Sequence, residues 1–263
     1  MKRILLKVAY DGTSYHGYQS QDNGVTIESV LSDAIAEVTG ENVSLIGGSR
    51  TDAGVHAESN IVVFDTDTLI PGEKLSYAIN AHLPNDIRVT FSEETDPGFH
   101  PRHTDSVKTY EYRICNSEFE DPVKRLYYLH SYKEYDTDKM KKAAAYIVGE
   151  HDFSSFCSAG AQVDSKVRTV YSVDIDVNEH KESGDLSVVG AARDTGRRAY
   201  PSRDIIIRVS GNGFLYNMVR IIAGTLLEVG RGQIDPEDIP SIIEAKDRTK
   251  AGPTAPAHGL CLV

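Results

Sequence analysis

Gly47-Gly48-Ser49-Arg50-Thr51-Asp52-Ala53-Gly54-Val55-His56-Ala57 is the stretch around which the chain is organised. A short apolar run at residues 43–46 precedes it, and a second, Ile61-Val62-Val63-Phe64, follows it. It therefore reads as a loop between two strands. Its three glycines allow backbone shapes closed to other residues, and such loops on a rigid scaffold are where working side chains collect. Asp52 stands two residues from Arg50. A carboxylate beside a cation keeps its charge to lower pH and can serve as nucleophile, base or electrostatic partner. The competing reading is a turn aspartate bonded to its own backbone.

With 263 residues the chain can bury a large core, in one domain or two intimate ones. Its apolar runs are short and interrupted, which excludes a bilayer-spanning segment, and Met1-Lys2-Arg3-Ile4-Leu5-Leu6-Lys7 is too brief for a signal peptide. The expected location is the cytoplasm. Cys115, Cys157 and Cys261 are far apart and odd in number, against both a disulfide framework and a Cys-x-x-Cys metal site. The net charge is −11, unevenly spread. Residues 1–105 hold seven Lys/Arg against sixteen Asp/Glu, and residues 106–263 hold twenty-one against twenty-three. A nucleic-acid backbone needs a positive groove rather than a positive total, so the acidity does not exclude an RNA partner.

Outward from the loop, residues 3–10 read as a strand closed by the turn signal Asp11-Gly12. Ile27, Val30, Leu31, Ala34, Ile35 and Val38 follow helical spacing between a Thr26 cap and Gly40. Residues 61–65 and 87–91 read as strands, with a short helix at 75–80. His100-Pro101-Arg102-His103 reads as a polar, basic loop; a metal pair is disfavoured by the proline and the lack of a third ligand. Residues 107–114 place Tyr110, Tyr112 and Ile114 on one face of a strand. A helix is expected over 138–148 with Val148 among its inward residues, a turn or short helix at 151–154, and strands over 169–177, 185–192 and 204–210. Residues 193–203 form an arginine-rich connection that reads either as an RNA-contacting arm or as a solvated hairpin tip without a partner. Residues 214–229 read as a helix buried on most sides with Arg220 in its middle. A guanidinium there calls for an acidic partner. Asp235-Pro236-Glu237 has the order of a helix start.

The order of motifs resembles the tRNA pseudouridine synthase A (TruA) family. The resemblance is carried by Ser49-Arg50-Thr51-Asp52-Ala53-Gly54-Val55-His56-Ala57 and by Tyr10-Asp11-Gly12-Thr13-Ser14-Tyr15-His16-Gly17-Tyr18-Gln19. Phe99-His100-Pro101-Arg102, Thr109-Tyr110-Glu111-Tyr112-Arg113 and Gly149-Glu150-His151-Asp152-Phe153-Ser154-Ser155-Phe156 continue it. Phe214-Leu215-Tyr216-Asn217-Met218-Val219-Arg220 and the tail 251–260 complete it. Departures are Tyr18 for a usual Trp, Ser49 for a common glycine, and a longer stretch over 178–203.

The resemblance implies an α+β pseudouridine synthase fold: two α/β halves around a shared, mostly antiparallel sheet with a central cleft. Residues 1–105 would carry the Asp52 loop and residues 106–263 would carry Tyr110 and Arg220. It implies isomerisation of uridine to pseudouridine at positions 38, 39 and 40 of the tRNA anticodon stem-loop, by a homodimer. Asp52 is the implied catalytic residue, acting either at C1′ or through the C2′ proton. Tyr110 stacks on the base, Arg50 flips or holds the nucleotide, Arg168 supports the site, Arg220 pairs with Asp52, and Leu260 packs in the pocket. No redox cofactor, nucleotide or metal is needed. Two other readings remain: a non-catalytic tRNA-binding or chaperone protein on the same fold, and a metal-dependent hydrolase using His56, His100 and His103.

Overall fold

Burial of Ile4, Leu6 and Val8 on one face of Lys2–Tyr10 makes that alternating stretch the first strand, β1. In the computed structural model, which describes residues 1–104, 106–160, 163–180 and 202–263, the chain continues through α1 (Ile27–Thr39), β2 (Ile46–Gly47), β3 (His56–Thr66), α2 (Gly72–Asn80) and β4 (Ile87–Thr95). Then come β5 (Lys108–Asn116), β6 (Leu129–Ser131), α3 (Thr137–Ala145), β7 (Gly149–Asp152) and β8 (Val167–Glu179). Last are β9 (Arg203–Gly211), α4 (Met218–Gly230), α5 (Ile239–Ala245) and β10 (Leu260–Leu262). The fold class is α+β. Two compact units form, Met1–Tyr110 with Leu260–Val263, and Glu111–Gly259. The first thus runs past residue 105, takes in Tyr110, and regains the chain's last strand.

The first unit has strand order β4-β1-β3-β10. Its long pairings are antiparallel, β1 running against β3 from Lys2 opposite Thr66 to Tyr10 opposite Ala57. β10 is parallel to β3, with Cys261 opposite His56. The strand expected over 43–46 shrinks to the two residues of β2, paired at Ile46 with Val63. β3 is correspondingly longer than expected and begins at His56, inside the opening stretch, because β1 pairs it from Thr66 as far as Ala57 and β10 pairs it at His56. In α1 the expected caps form: Thr26 Oγ1 accepts from Ser29 N at 3.2 Å, and Gly40 ends the helix at φ 73°.

The second unit carries the antiparallel β7-β8-β9 sheet, with Glu179 opposite Arg203, and the later part of β5 beside β9. Four expectations change here. Helix α4 starts at Met218 rather than Phe214, behind Asn217 in the left-handed region at φ 61°, so Arg220 stands in its first turn and not in its middle. Helix α3 ends at Ala145, which leaves Val148 40% exposed instead of inward. His151 and Asp152 lie in β7, and only Ser154–Phe156 forms a 3₁₀ turn. Arg203 belongs to β9 rather than to a loop, and it donates to Tyr135 O at 2.7 Å and Asn116 Oδ1 at 3.2 Å. The strand expected over 185–192 and residues 193–201 of the arginine-rich connection lie outside the described residues.

Candidate active site

The Asp52 loop is shaped by the segment that follows β1. Gly12 lies so close that a Cβ there would sit 2.0 Å from Val55 O. At Gly17, φ is +88°, and a Cβ would meet Thr51 O at 2.8 Å and Ala53 N at 3.2 Å. Only glycine satisfies both demands cheaply. Tyr18 N donates to Thr51 O at 3.0 Å, which closes this clamp, and Val55 N donates to Asp52 O at 3.1 Å, which turns the chain out of the loop. Asp52 itself is half-buried, and Arg50 is exposed.

A buried polar network underlies the loop. Tyr10 OH shares a 2.8 Å hydrogen bond with Thr51 Oγ1 and accepts from Asn60 Nδ2 at 3.3 Å. Asn60 also brackets Ser49, accepting from its N at 3.1 Å and donating to its O at 2.9 Å. Buried groups paired on every side hold a backbone more firmly than apolar packing alone. The sequence reading passes over Asn60 and Thr51; the signal for Asn60 is a lone amide at the head of the apolar run 61–64.

Tyr110 is buried in the first unit, its hydroxyl hydrogen-bonded to the Ser49 side chain. Burial pushes its phenol up to about 12, the Ser49 bond opposes this, and the nearby Asp52 carboxylate adds to it. At neutral pH the ring is therefore a protonated phenol beside a carboxylate. Tyr112, two residues on, is fully buried and donates to Pro256 O at 2.9 Å, a core role. Leu260 is buried at the start of β10, next to Cys261, which pairs with His56 at the loop's exit.

Of the expected site residues, Asp52, Arg50, Tyr110 and Leu260 thus belong to the first unit, and Arg168 and Arg220 to the second. Arg220 is half-buried; its Nε donates to Ala255 O and its Nη1 to Asn217 Oδ1, both at 2.7 Å. Ala255 N returns a bond to Arg220 O at 3.1 Å, so the tail strap fixes the guanidinium. Arg168 donates to the carbonyls of Ser165 and Val167 at the start of β8. His56 lies with Nδ1 3.1 Å from Gly12 N and 3.2 Å from Asp11 Oδ1, a bracing position. The rings of His100 and His103 stack 3.9 Å apart. Among the described residues no group of three His, Cys, Asp or Glu side chains is placed to hold a metal ion, and no helix is long and apolar enough to cross a membrane.

The Asp52 loop, clamped by the segment after β1, and the buried phenol of Tyr110 lie in one unit of an α+β scaffold. The model of a family described as tRNA pseudouridine synthase matches residues 7–103 and 143–263. A Thermoanaerobacter sp. (strain X514) protein named tRNA pseudouridine synthase A is 45% identical over 264 residues, covering 100% of this chain and 98% of that one. A protein of the same name from Ruminiclostridium cellulolyticum is 46% identical over 263 residues, with the same two coverages. Another from Clostridium acetobutylicum is 43% identical over 262 residues, again covering 100% and 98%. The chain belongs to the tRNA pseudouridine synthase family.

Proposed function

We propose that this chain isomerises uridine to pseudouridine in tRNA, at positions 38, 39 and 40 of the anticodon stem-loop, with Asp52 as the catalytic carboxylate. It is an isomerase: the C1′–N1 bond breaks, the uracil turns in place, and C1′ rejoins at C5. The C5 proton leaves and N1 gains one, so atoms balance without a cofactor. A carboxylate suits an electron-poor sugar carbon, as in glycosidases, whether it attacks C1′ or acts through the C2′ proton. The observation that carries the reading is the Asp52 loop, clamped at Gly12, Gly17 and Tyr18 with Tyr110 adjoining.

Tyr110 stacks on the displaced base, for which an aromatic face is suited. Arg50 holds the nucleotide, Leu260 packs in the pocket and Arg168 supports it. Arg220 pairs with Asp52; what supports this is a guanidinium already oriented by Asn217 and Ala255. Asp52→Asn keeps the side chain's shape and removes the carboxylate. Conversion of uridine in an unmodified tRNA transcript should fall by about a thousandfold or more, while tRNA binding stays within about threefold of wild type. Turnover near wild type would refute the assignment; a wild-type protein that binds tRNA without converting uridine would favour the non-catalytic reading. The enzyme works in the cytoplasm as a homodimer, for which light scattering at micromolar concentration should give a two-chain mass; a one-chain mass contradicts it.

A further inference from the structure

The first half of the chain is poor in cations, and most of those in the first unit are already engaged. Lys2 and Arg3 form ion pairs with Glu94 and Asp65. Arg88 donates to backbone carbonyls and to Asn85. Lys7 and Lys74 lie over the rings of Phe91 and Tyr77. Arg50 and Arg102 differ: among the described residues neither has a carboxylate within ion-pair distance. Both are exposed. Arg102 uses Nε to donate to Gly47 O at 2.7 Å, which ties it to the Asp52 loop and orients its guanidinium. Lys108 donates to the next carbonyl, Gly48 O, at 2.7 Å.

The two arginines also oppose each other. Partial burial lowers the proton affinity of Arg102 first, and the charge of Arg50 lowers it further; Tyr18 and Glu28 offset this only in part. Arg50 lies on the same loop to which Arg102 is tied through Gly47 O, so two exposed cations stand at one loop of an acidic unit, an unfavourable arrangement by themselves. An anion between them reverses the sign of that interaction, and guanidinium forks match phosphate oxygens in geometry.

We propose that Arg102 and Arg50 together form a subsite that grips a backbone phosphate of the RNA next to the reacting nucleotide. Arg102 is thereby a substrate-binding residue, held in place by its bond to Gly47 O. The proposal rests on tRNA being the substrate.

The test compares wild type with Arg102→Gln and Arg102→Lys, using an unmodified tRNA transcript. For the glutamine variant KM should rise about five- to twentyfold, and the log–log dependence of binding on salt should flatten by about 0.7–1 unit. Turnover at saturating tRNA should fall less than about threefold, since the site's carboxylate and ring remain. Lysine keeps the charge without the fork, so it should restore the salt slope and recover KM only in part. Unchanged KM and slope in Arg102→Gln would overturn the subsite. So would a fall in turnover and melting temperature with KM unchanged, which would make Arg102 a loop brace only. Replacing chloride by inorganic phosphate at equal ionic strength should weaken tRNA binding to wild type more than to Arg102→Gln, because both anions compete for the same guanidiniums; an equal effect on the two proteins would count against the subsite. Salt-dependent binding is read without turnover, so a wild-type enzyme that failed to convert uridine would defeat the functional reading and still leave this subsite measurable.

Discussion

Tyr18 is 1% exposed, and its hydroxyl has no hydrogen-bond partner among the described residues. Burial drives its phenol far above the ordinary range, and the charge of Glu28 acts in the same direction. A buried hydroxyl without a partner costs roughly 1–3 kcal/mol relative to one that is paired. Tyr18→Phe deletes that cost and keeps the ring that packs against Gly47. The expected outcome is a stability equal to wild type or higher by up to about 1 kcal/mol, read by urea denaturation. A loss above about 1 kcal/mol would mean that the hydroxyl is satisfied after all. Tyr10 is the contrasting case, because its hydroxyl bonds Thr51 and Asn60 under the Asp52 loop. The sequence singles out Asp52 because the motif around it is local to one loop. It does not distinguish Tyr10 from Tyr18, since the difference lies in partners some forty residues or more away.

Among elements, the one that controls the site is the connection from β1 to α1, which is neither strand nor helix over most of its length. Its contacts with the Asp52 loop bridge distant positions, Gly12 with Val55 and Gly17 with Thr51, and they are made by absent side chains at the two glycines. Gly17→Ala imposes both a left-handed alanine and a Cβ 2.8 Å from Thr51 O. The strain costs about 1–2 kcal/mol and the overpacking about 1–3 more, so a loss of roughly 2–5 kcal/mol is expected. Turnover should fall along with stability, because the backbone that must yield is that of Thr51 to Ala53. Denaturation and turnover measured together decide it, and a variant as stable and active as wild type would show that the clamp does not hold the loop. Elements with local signals were legible: α1 could be read with its Thr26 and Gly40 caps, and β1 from alternation. Those set by distant pairing were not. β2 lost most of its expected length and β3 gained, because their extent depends on what lies opposite, and α3 stopped short of Val148.

For the whole molecule, the mixed α+β class was legible because strand and helix periods both recur along the chain. The change in charge balance after residue 105 lies close to the division at Tyr110, which falls inside the single strand β5, whereas the return of Leu260–Val263 to the first unit has no mark in the sequence. Charge is the property that must be reconciled with an RNA substrate. Part of the positive charge of residues 106–263 is consumed internally: Lys124 pairs with Asp204, Arg208 with Glu111 and Asp176, Lys246 with Asp152, and Lys142 with Glu237. Arg203, counted with the basic connection on sequence grounds, is likewise committed to Tyr135 and Asn116. Arg193, Arg197 and Arg198 lie outside the described residues, and with Asp194 alone as a neighbouring acid they form a basic cluster in the sequence. Each phosphate contact releases counterions, so a lost contact weakens binding and flattens its dependence on salt. Serine at both Arg197 and Arg198 should therefore lower tRNA affinity and reduce the log–log slope by about one to two units. Turnover at saturating tRNA should persist, because neither substitution touches Asp52 or Tyr110. An unchanged affinity and slope in the double variant would show that these arginines make no phosphate contact, leaving the protein's cationic grip on RNA to residues such as Arg50 and Arg102.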